Sequence, residues 1–334
     1  MPWDLRPLPI NTSPLARLSK PAFWHVPLGY AMLLVSTMPF FRARSSAKIN
    51  LSLDILERLP DGYHTLASLV HPVGLWDEIE LEFRGDDAVR FSCNQSELQS
   101  DDNLCVRAFK AWRDATKFQG GASIALRKNI PFGAGLGGGS GNAAAILRLA
   151  NSHPAERLSE ERLLEIAAKL GADVPLFLRN SPVLMEGIGE QLRGVEPLEG
   201  WVLLLKPREG FSTPSIYRAW DEHELQSQNG TQALLDVWPS SDIETIAPLL
   251  RNDLERAARL VSPLPARCVE LLRESGSAGA MMSGSGSACF ALFGREAEAR
   301  RAREWLDGEL AKDVLLVGAT TFVAPLSACG VELL

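Results

Sequence analysis

The stretch Pro131-Phe132-Gly133-Ala134-Gly135-Leu136-Gly137-Gly138-Gly139-Ser140-Gly141-Asn142 leads directly into Ala143-Ala144-Ala145-Ile146-Leu147, and it decides the fold. Six of the nine residues from Gly133 to Gly141 are glycine, which accepts positive φ and lets a ligand approach the backbone. The alanines that follow have high helix propensity. Free N–H groups and the helix dipole at such a helix start attract anions, most often phosphate. We therefore predict a phosphate-binding loop.

Several kinds of loop compete for this stretch. A Walker A loop requires a Lys after the last glycine, and none follows here. A dinucleotide fingerprint fits Gly133, Gly135 and Gly138 only weakly, because an N-terminal βαβ unit and the acidic residue about 20 positions on are missing. A flexible linker rarely leads into an apolar helix. A loop of the pattern Pro-x-x-x-Gly-Leu-Gly fits best, through Pro131, Gly135, Leu136, Gly137 and Ser140.

Composition limits the class of protein. The 334 residues are enough for two domains, and 46% hydrophobic with 22% charged residues is ordinary for a globular protein. A net charge of -7 argues against a general nucleic-acid surface. The five cysteines are odd in number and lack metal-site spacing, which predicts reduced thiols in a cytoplasm.

The N-terminal residues 1–44 differ from the rest of the chain. We expect them to form an atypical, poorly ordered extension. An upstream start codon would account for it, and Met38, ten residues before Lys48, is then the functional start.

Two segments after this extension carry candidate site residues. Residues 47–55 alternate strictly between apolar and polar types, which predicts a half-buried strand with Lys48 and Asn50 on its polar face. Asp61-Gly62 predicts a hairpin turn. Tyr63 and His64 follow it and either serve the turn and core packing or form a candidate corner for stacking and hydrogen bonding to a flat ring.

Strands and helices alternate along the remaining chain, which indicates an α+β or α/β fold. Strands are predicted at 75–83, 122–126 and 201–205; helices are predicted around 106–112, after Ser159 up to Gly171, from Asn252 onward and at 296–310. A second glycine loop occupies 278–287 and enters a buried strand. Asp173 lies in an apolar setting, where it is either a cap or a carboxylate held for proton transfer.

Seven motifs in this order resemble those of the GHMP family of small-molecule kinases. They are Ala-Lys-Ile-Asn-Leu at 47–51, Asp-Gly-Tyr-His at 61–64, Asp-Asn-Leu at 102–104, the loop at 131–144, Gly-Ala-Asp-Val-Pro at 171–175, Gly-Ile-Gly-Glu at 187–190 and Ser-Gly-Ser-Gly at 283–286. The resemblance implies an α+β fold with an ATP-binding domain of the ribosomal protein S5 domain 2 type at 45–190. It also implies a ferredoxin-like C-terminal domain at 191–334.

The Asp-Gly-Tyr-His turn and the triple glycine resemble the branch that acts on a cytidine-diphosphate alcohol in the non-mevalonate route to isoprenoid precursors. This implies transfer of the ATP γ-phosphate to the 2-hydroxyl of a methylerythritol moiety, with Asp173 as general base and Lys48 as its partner. The substrate would contact Asn50, Tyr63, His64, Thr213 and Tyr217. ATP would contact Asn103, Lys128, Pro131, Gly133, Gly135, Leu136, Gly137, Gly138, Gly139, Ser140, Gly141 and Asn142, with Mg²⁺ bridging its phosphates and no dedicated metal ligands.

Two positions depart from the family pattern. Gly141 replaces a usual serine, which predicts the loss of a hydroxyl contact to phosphate or Mg²⁺. Val70 replaces an aromatic residue, which predicts a thinner stacking site for cytosine. The alternatives are a mevalonate-, homoserine- or sugar-type kinase of the same family, or a non-catalytic nucleotide-binding member. The expected partner is a small molecule, with no nucleic acid or membrane, and the chain would be a monomer or homodimer.

Overall fold

The computed structural model describes residues 39–238 and 242–334 and contains two β-sheets. The larger sheet has nine strands: β1 (Phe40–Asn50), β2 (Ser52–Arg58), β3 (His64–Arg84), β4 (Val89–Cys93), β5 (Gly121–Arg127), β6 (Val183–Gly187), β7 (Gln191–Gly194), β9 (Arg251–Asn252) and β13 (Val331–Leu333). The smaller sheet has four strands: β8 (Trp201–Lys206), β10 (Gly279–Met282), β11 (Cys289–Phe293) and β12 (Thr320–Pro325).

Strand β3 organises the larger sheet because its 21 residues are long enough to pair with different strands along its length. Strands β2 and β6 pair antiparallel with its first part. Strands β1 and β5 pair antiparallel with its later part. The β2–β3 connection is the predicted hairpin, and Gly62 adopts φ +88° in its turn.

Four helices cover one face of the larger sheet: α1 (Leu104–Thr116), α2 (Gly138–Ala150), α3 (Glu160–Leu170) and α4 (Val174–Arg179). Their apolar sides form one core with the sheet, in which Phe83 of β3 packs with Phe109 and Trp112 of α1. Full burial of side chains of this size contributes about 1.5–3 kcal/mol each. This core fixes α2, and therefore the end of the glycine loop, against the sheet.

The remaining helices belong to the second half of the chain. They are α5 (Thr213–Glu222), α6 (Gly230–Val237), α7 (Ile243–Ile246), α8 (Asp253–Val261), α9 (Leu264–Glu274) and α10 (Glu296–Leu310). Helices α5, α8, α9 and α10 share a core with the smaller sheet. Successive side chains of β8 point to opposite faces of the smaller sheet. Leu203 and Leu205 therefore pack in that core, whereas Val202 and Leu204 pack in a third core with the larger sheet.

This third core joins the two sheets directly. Ile49 and Leu51 from the first half pack in it with Phe290 of β11 and with Leu136 of the glycine loop. The order of layers is therefore helix, sheet, sheet, helix, and the fold is α+β as predicted.

Several local predictions are confirmed. Helix α10 spans the predicted 296–310, and α3 starts after Ser159, whose hydroxyl accepts a hydrogen bond from the Arg162 N–H. Gly171 ends α3, although at φ 170° it is extended. Asn252 caps α8 as expected, since its side chain accepts from the Leu254 N–H at 2.9 Å.

The predicted half-buried strand at 47–55 is wrong in two respects. The strand is interrupted at Leu51, between β1 and β2, and both faces from Ala47 to Ile55 are buried. The polar face is buried because it is hydrogen-bonded inside the protein. Asp54, for example, accepts from the Gly230 and Thr231 N–H groups at the start of α6.

Residues 40–44 of the predicted extension belong to β1, so the extension does not reach Arg44. Phe41 packs edge-on against Phe83, and the Arg44 guanidinium lies 4.4 Å from the Trp76 ring centroid and pairs with Glu332. Residues 1–38, including Met38, lie outside the described residues. No helix in the described ranges combines the length and apolar character needed to cross a membrane.

The division at 190/191 stays a prediction. Strands β9 and β13 follow that position in sequence but pair in the larger sheet, with β2 and β1 respectively.

Candidate active site

The glycine loop connects β5 to α2 in a conformation that only glycine adopts readily. Gly133, Gly135 and Gly137 have φ of +63°, +75° and +68°. Gly137 is the N-cap of α2, with no side chain to cap the helix. The first N–H groups of α2 are therefore left for a ligand, which is the arrangement that binds phosphate.

One cavity, of about 380 Å³, follows the length of this loop. It is lined by Leu98, Asn103, Leu104, Leu126, Lys128, Asn142 and residues 131–140. All but one of the residues predicted to contact ATP border it. Asn103 also caps α1, accepting from the Cys105 N–H at 2.9 Å, and donates to the Leu98 carbonyl at 3.0 Å.

A second cavity, of about 850 Å³, adjoins the loop and is lined by all the residues predicted to contact the substrate. Lys48, Asn50, Tyr63, His64, Asp173, Thr213 and Tyr217 line it, together with Arg58, Asp221 and Ser285. Gly135, Gly137 and Ser140 line both cavities. The two cavities therefore meet at the glycine loop.

Lys48 and Asp173 meet at this junction. Lys48 Nζ lies 3.8 Å from Asp173 Oδ2 and donates to Asn50 Oδ1 at 2.7 Å. The Lys48 side chain is 7% exposed and that of Asp173 is 32% exposed. Asn50 in turn donates to Ser68 Oγ at 2.8 Å, which fixes the amide that holds the ammonium.

Asp173 does not cap a helix through its side chain. It is the N-cap residue of α4, but its side chain makes no capping hydrogen bond. The carboxylate instead borders the cavity beside Lys48. An ammonium and a partly exposed carboxylate so placed are suited to proton transfer from a hydroxyl group.

An aromatic corner forms part of the wall of the second cavity. Tyr63 is 66% exposed there, whereas His64 is buried. The His64 and Tyr217 rings lie 5.5 Å apart between centroids, tilted by 32°. Burial and the negative charge of Asp173 raise the pKa of Tyr217 to about 12, so its hydroxyl stays protonated and available as a donor.

Lys128 and Asn142 contact each other beneath the glycine loop. The Lys128 ammonium pairs with the buried Asp77 carboxylate and donates to Asn142 Oδ1 at 3.1 Å. Asn142 also donates to Asp77 Oδ2 at 2.8 Å. Both side chains are thus engaged within the protein while they border the first cavity.

Two departures from the family pattern lie away from both cavities. Gly141 is inside α2, and a Cβ there would lie 3.2 Å from the Ser46 carbonyl oxygen and 3.3 Å from the Phe177 ring. A serine at this position would therefore be directed at β1 and α4. Val70 is buried in β3 and lines neither cavity.

Sequence reasoning missed Asp77, Arg58, Asp221 and Ser285. A signal existed for Asp221, because it follows Tyr217 by four residues and so lies on the same face of a helix. Ser285 Oγ lies 2.7 Å from Thr213 Oγ1, a contact between the second glycine loop and α5 that only the fold creates. Asp77 carried no signal, since it is one of several acidic residues in a long strand.

Comparison with known proteins shows the family of the chain. Residues 103–181 match the family described as GHMP kinases N terminal domain, and residues 232–310 match GHMP kinases C terminal. A homoserine kinase from Cytophaga hutchinsonii shares the fold, with a TM-score of 0.70 at 16% identity, and covers 88% of this chain and 97% of its own. The fold and the glycine loop thus define a small-molecule kinase of the GHMP class.

Relatives with higher sequence identity include several 4-diphosphocytidyl-2-C-methyl-D-erythritol kinases. A 4-diphosphocytidyl-2-C-methyl-D-erythritol kinase of Clostridium perfringens is 36% identical over 80% of this chain and 94% of its own. One of Geobacter sp. is 38% identical over 77% and 90%. A crystal structure of 4-(cytidine 5'-diphospho)-2C-methyl-D-erythritol kinase matches with a TM-score of 0.73 at 30% identity, covering 86% of this chain and 99% of its own. The chain belongs to the 4-diphosphocytidyl-2-C-methyl-D-erythritol kinase branch of the GHMP kinase family.

Proposed function

We propose that this protein transfers the γ-phosphate of ATP to the 2-hydroxyl of 4-diphosphocytidyl-2-C-methyl-D-erythritol, in the non-mevalonate route to isoprenoid precursors. The observation that carries the proposal is the meeting of two cavities at Gly135, Gly137 and Ser140, with Lys48 and Asp173 at the junction. One cavity takes ATP along the glycine loop. The other takes the alcohol, with its cytosine at the corner formed by Tyr63, His64 and Tyr217.

Each group at the junction has a distinct role in this proposal. Asp173 accepts the proton of the 2-hydroxyl, because its carboxylate is free of any cap and partly exposed to the cavity. Lys48 orients that hydroxyl and offsets negative charge on the phosphoryl group in transfer. The first N–H groups of α2 hold the phosphates of ATP.

Mg²⁺ accompanies ATP in this proposal. The donors present fit a nucleotide-bound ion, since the Ser140 hydroxyl lies at the border of the two cavities, where the phosphates meet the alcohol. The ion would neutralise charge on the phosphates. Among residues 39–238 and 242–334, no group of three or more His, Cys, Asp or Glu side chains is arranged to hold a metal by itself.

The proposal also covers location and organisation. The five cysteines are free thiols, which supports a reducing compartment such as the cytoplasm. We keep the predicted boundaries of 45–190 and 191–334 for the two domains, and the predicted monomer or homodimer.

Replacement of the proposed base tests the function. Asp173→Asn removes the proton acceptor but keeps the shape of the side chain, so we expect kcat to fall by about a hundredfold or more. Affinity for ATP, measured by titration, is expected to stay unchanged because Asp173 does not line the ATP cavity. Asp61→Asn is the matched control, since it removes a carboxylate that lines the same cavity away from Lys48 and should leave kcat at the wild-type value.

The same assay separates the family alternatives. The wild-type enzyme should phosphorylate the cytidine-diphosphate alcohol in preference to mevalonate, homoserine or a sugar. An Asp173→Asn variant with unchanged kcat would contradict the base assignment. Equal activity on alcohols without cytidine would contradict the assigned substrate, and a wild-type protein that binds ATP without turnover would identify a non-catalytic member.

A further inference from the structure

Asp221 holds the one buried histidine of the aromatic corner. Its Oδ1 lies 2.8 Å from His64 Nε2, and the His64 side chain is 5% exposed. Asp221 lies on α5, four residues after Tyr217, whose ring packs on the His64 ring. Helix α5 therefore supplies both the surface on which His64 packs and the carboxylate that it contacts.

This contact makes Nε2 of His64 a hydrogen-bond donor. A carboxylate only accepts hydrogen bonds, so Nε2 must donate, and in a neutral imidazole Nδ1 is then an acceptor. In the part of the chain that the structure describes, Nδ1 has no protein partner, and His64 lines the substrate cavity. Nδ1 is thus the ring atom left to accept a hydrogen bond from a ligand.

The Asp221 carboxylate also forms an ion pair with Arg58. Arg58 Nε lies 3.5 Å from Oδ2, the oxygen that His64 does not contact. The guanidinium thus supplies a permanent counter-charge to the carboxylate that His64 contacts. Arg58 also lines the cavity, so the three side chains form one group in its wall.

We propose that Asp221 is a positioning residue that sets the base specificity of the cavity through His64. With Nε2 held as the donor, Nδ1 presents a lone pair to the edge of the bound pyrimidine. The exocyclic amino group of cytosine donates to that lone pair, whereas the carbonyl oxygen at the same place in uracil faces it with a second acceptor. The inference rests on the proposed function and names the residue that separates a cytidine from a uridine substrate.

Asp221→Asn tests this proposal, because the carboxamide of asparagine can donate to Nε2 and so permits the opposite tautomer. We expect KM for the cytidine substrate to rise about tenfold or more while kcat changes little, since the reacting groups Lys48 and Asp173 lie elsewhere in the cavity. The ratio of kcat/KM for the cytidine substrate to that for its uridine counterpart should collapse toward one. Glu222→Gln is the matched control, as it alters the next, exposed carboxylate on the same helix.

Two readouts that do not depend on turnover complete the test. Nitrogen chemical shifts of the His64 ring should show Nε2 protonated in the wild-type protein and a changed tautomer in Asp221→Asn. Titration with cytidine 5′-diphosphate and uridine 5′-diphosphate, with the ATP cavity filled by a non-hydrolysable analogue, should show a preference for the cytidine that the variant loses.

The possible results separate this inference from the proposed function. A folded Asp221→Asn variant that keeps the wild-type preference for cytidine would overturn the inference, as would a wild-type His64 with Nδ1 protonated. A wild-type protein that phosphorylates neither substrate contradicts the proposed function. In that case the diphosphate titrations and the ring shifts still decide the role of Asp221.

Discussion

Glycines of the phosphate loop share a backbone conformation but differ in their surroundings. Gly133 and Gly135 both have positive φ, at +63° and +75°. A Cβ added at Gly133 would meet nothing within 4 Å. A Cβ added at Gly135 would lie 2.5 Å from the Ser283 carbonyl oxygen and 3.0 Å from that of Gly286. Gly135 is therefore required for the second glycine loop to pack against the first.

Alanine substitutions at Gly133 and Gly135 should separate the effect of backbone strain at positive φ from the effect of a clash with the second glycine loop. Gly133→Ala adds only the left-handed backbone strain of about 1–2 kcal/mol, much of which an exposed loop can relax. Gly135→Ala adds a clash with backbone atoms that cannot rotate away, so we expect kcat/KM for ATP to fall at least about tenfold further than in Gly133→Ala. Steady-state kinetics of both variants measure the difference. Equal losses would show that the contact with Ser283 is unimportant.

At the scale of elements, β3 carries the residue that fastens the loop to the sheet. Asp77 is fully buried in β3. Its carboxylate accepts from the Asn129 N–H at 2.7 Å, the Ile130 N–H at 2.8 Å and the Asn142 amide at 2.8 Å, and it pairs with the Lys128 ammonium. One carboxylate thus connects the entry of the glycine loop to the helix that leaves it.

Removal of this charge should destabilise the protein markedly. Asp77→Asn leaves the Lys128 ammonium buried without its counter-charge, and we expect the free energy of unfolding to fall by about 3–5 kcal/mol in chemical denaturation. Glu80→Gln is the matched control from the same strand, because its exposed pair with Arg42 contributes at most about 1 kcal/mol. The double variant Asp77→Asn, Lys128→Met should be less destabilised than the sum of its single variants. An Asp77→Asn protein as stable as Glu80→Gln would contradict this role.

How far the sequence predicts an element depends on where its determinants lie. Helix α3, with its Ser159 cap, and helix α10 were predicted from residues within them. The buried polar face of β1 and β2 was not, since its partners, such as Thr231, are far away in the chain. The basic pair Arg127 and Lys128 looked alike in sequence, but the strand directs Arg127 to solvent and Lys128 to Asp77. Periodicity identifies the two faces of a strand, and only the tertiary structure decides what covers each.

At the scale of the whole molecule, the site exists because both halves of the chain contribute to one cavity. Lys48 comes from β1, Asp173 from the start of α4 and Tyr217 from α5. The sequence predicted these residues, through a family resemblance, but not their distances from one another. Those distances depend on the third core, in which both sheets share side chains.

His71 joins the larger sheet to the segment that leads into the smaller one, and it should make stability depend on pH. Its Nδ1 donates to the Pro72 carbonyl at 2.8 Å, and its Nε2 accepts from the Leu198 N–H at 3.0 Å, so the folded protein holds it neutral. Burial lowers its pKa to about 4, from 6.5. Above pH 6.5 the ring is neutral in both states, whereas between pH 6.5 and 4 only the unfolded chain gains the proton. The free energy of unfolding should therefore decrease as the pH is lowered from 6.5 to 4, by at most about 3 kcal/mol.

Denaturation of the wild-type protein and of His71→Gln at several pH values measures this dependence. The variant should lose that part of the slope, and His223→Gln, which changes an exposed histidine, should retain it. Identical slopes in all three proteins would show that His71 is not the group responsible.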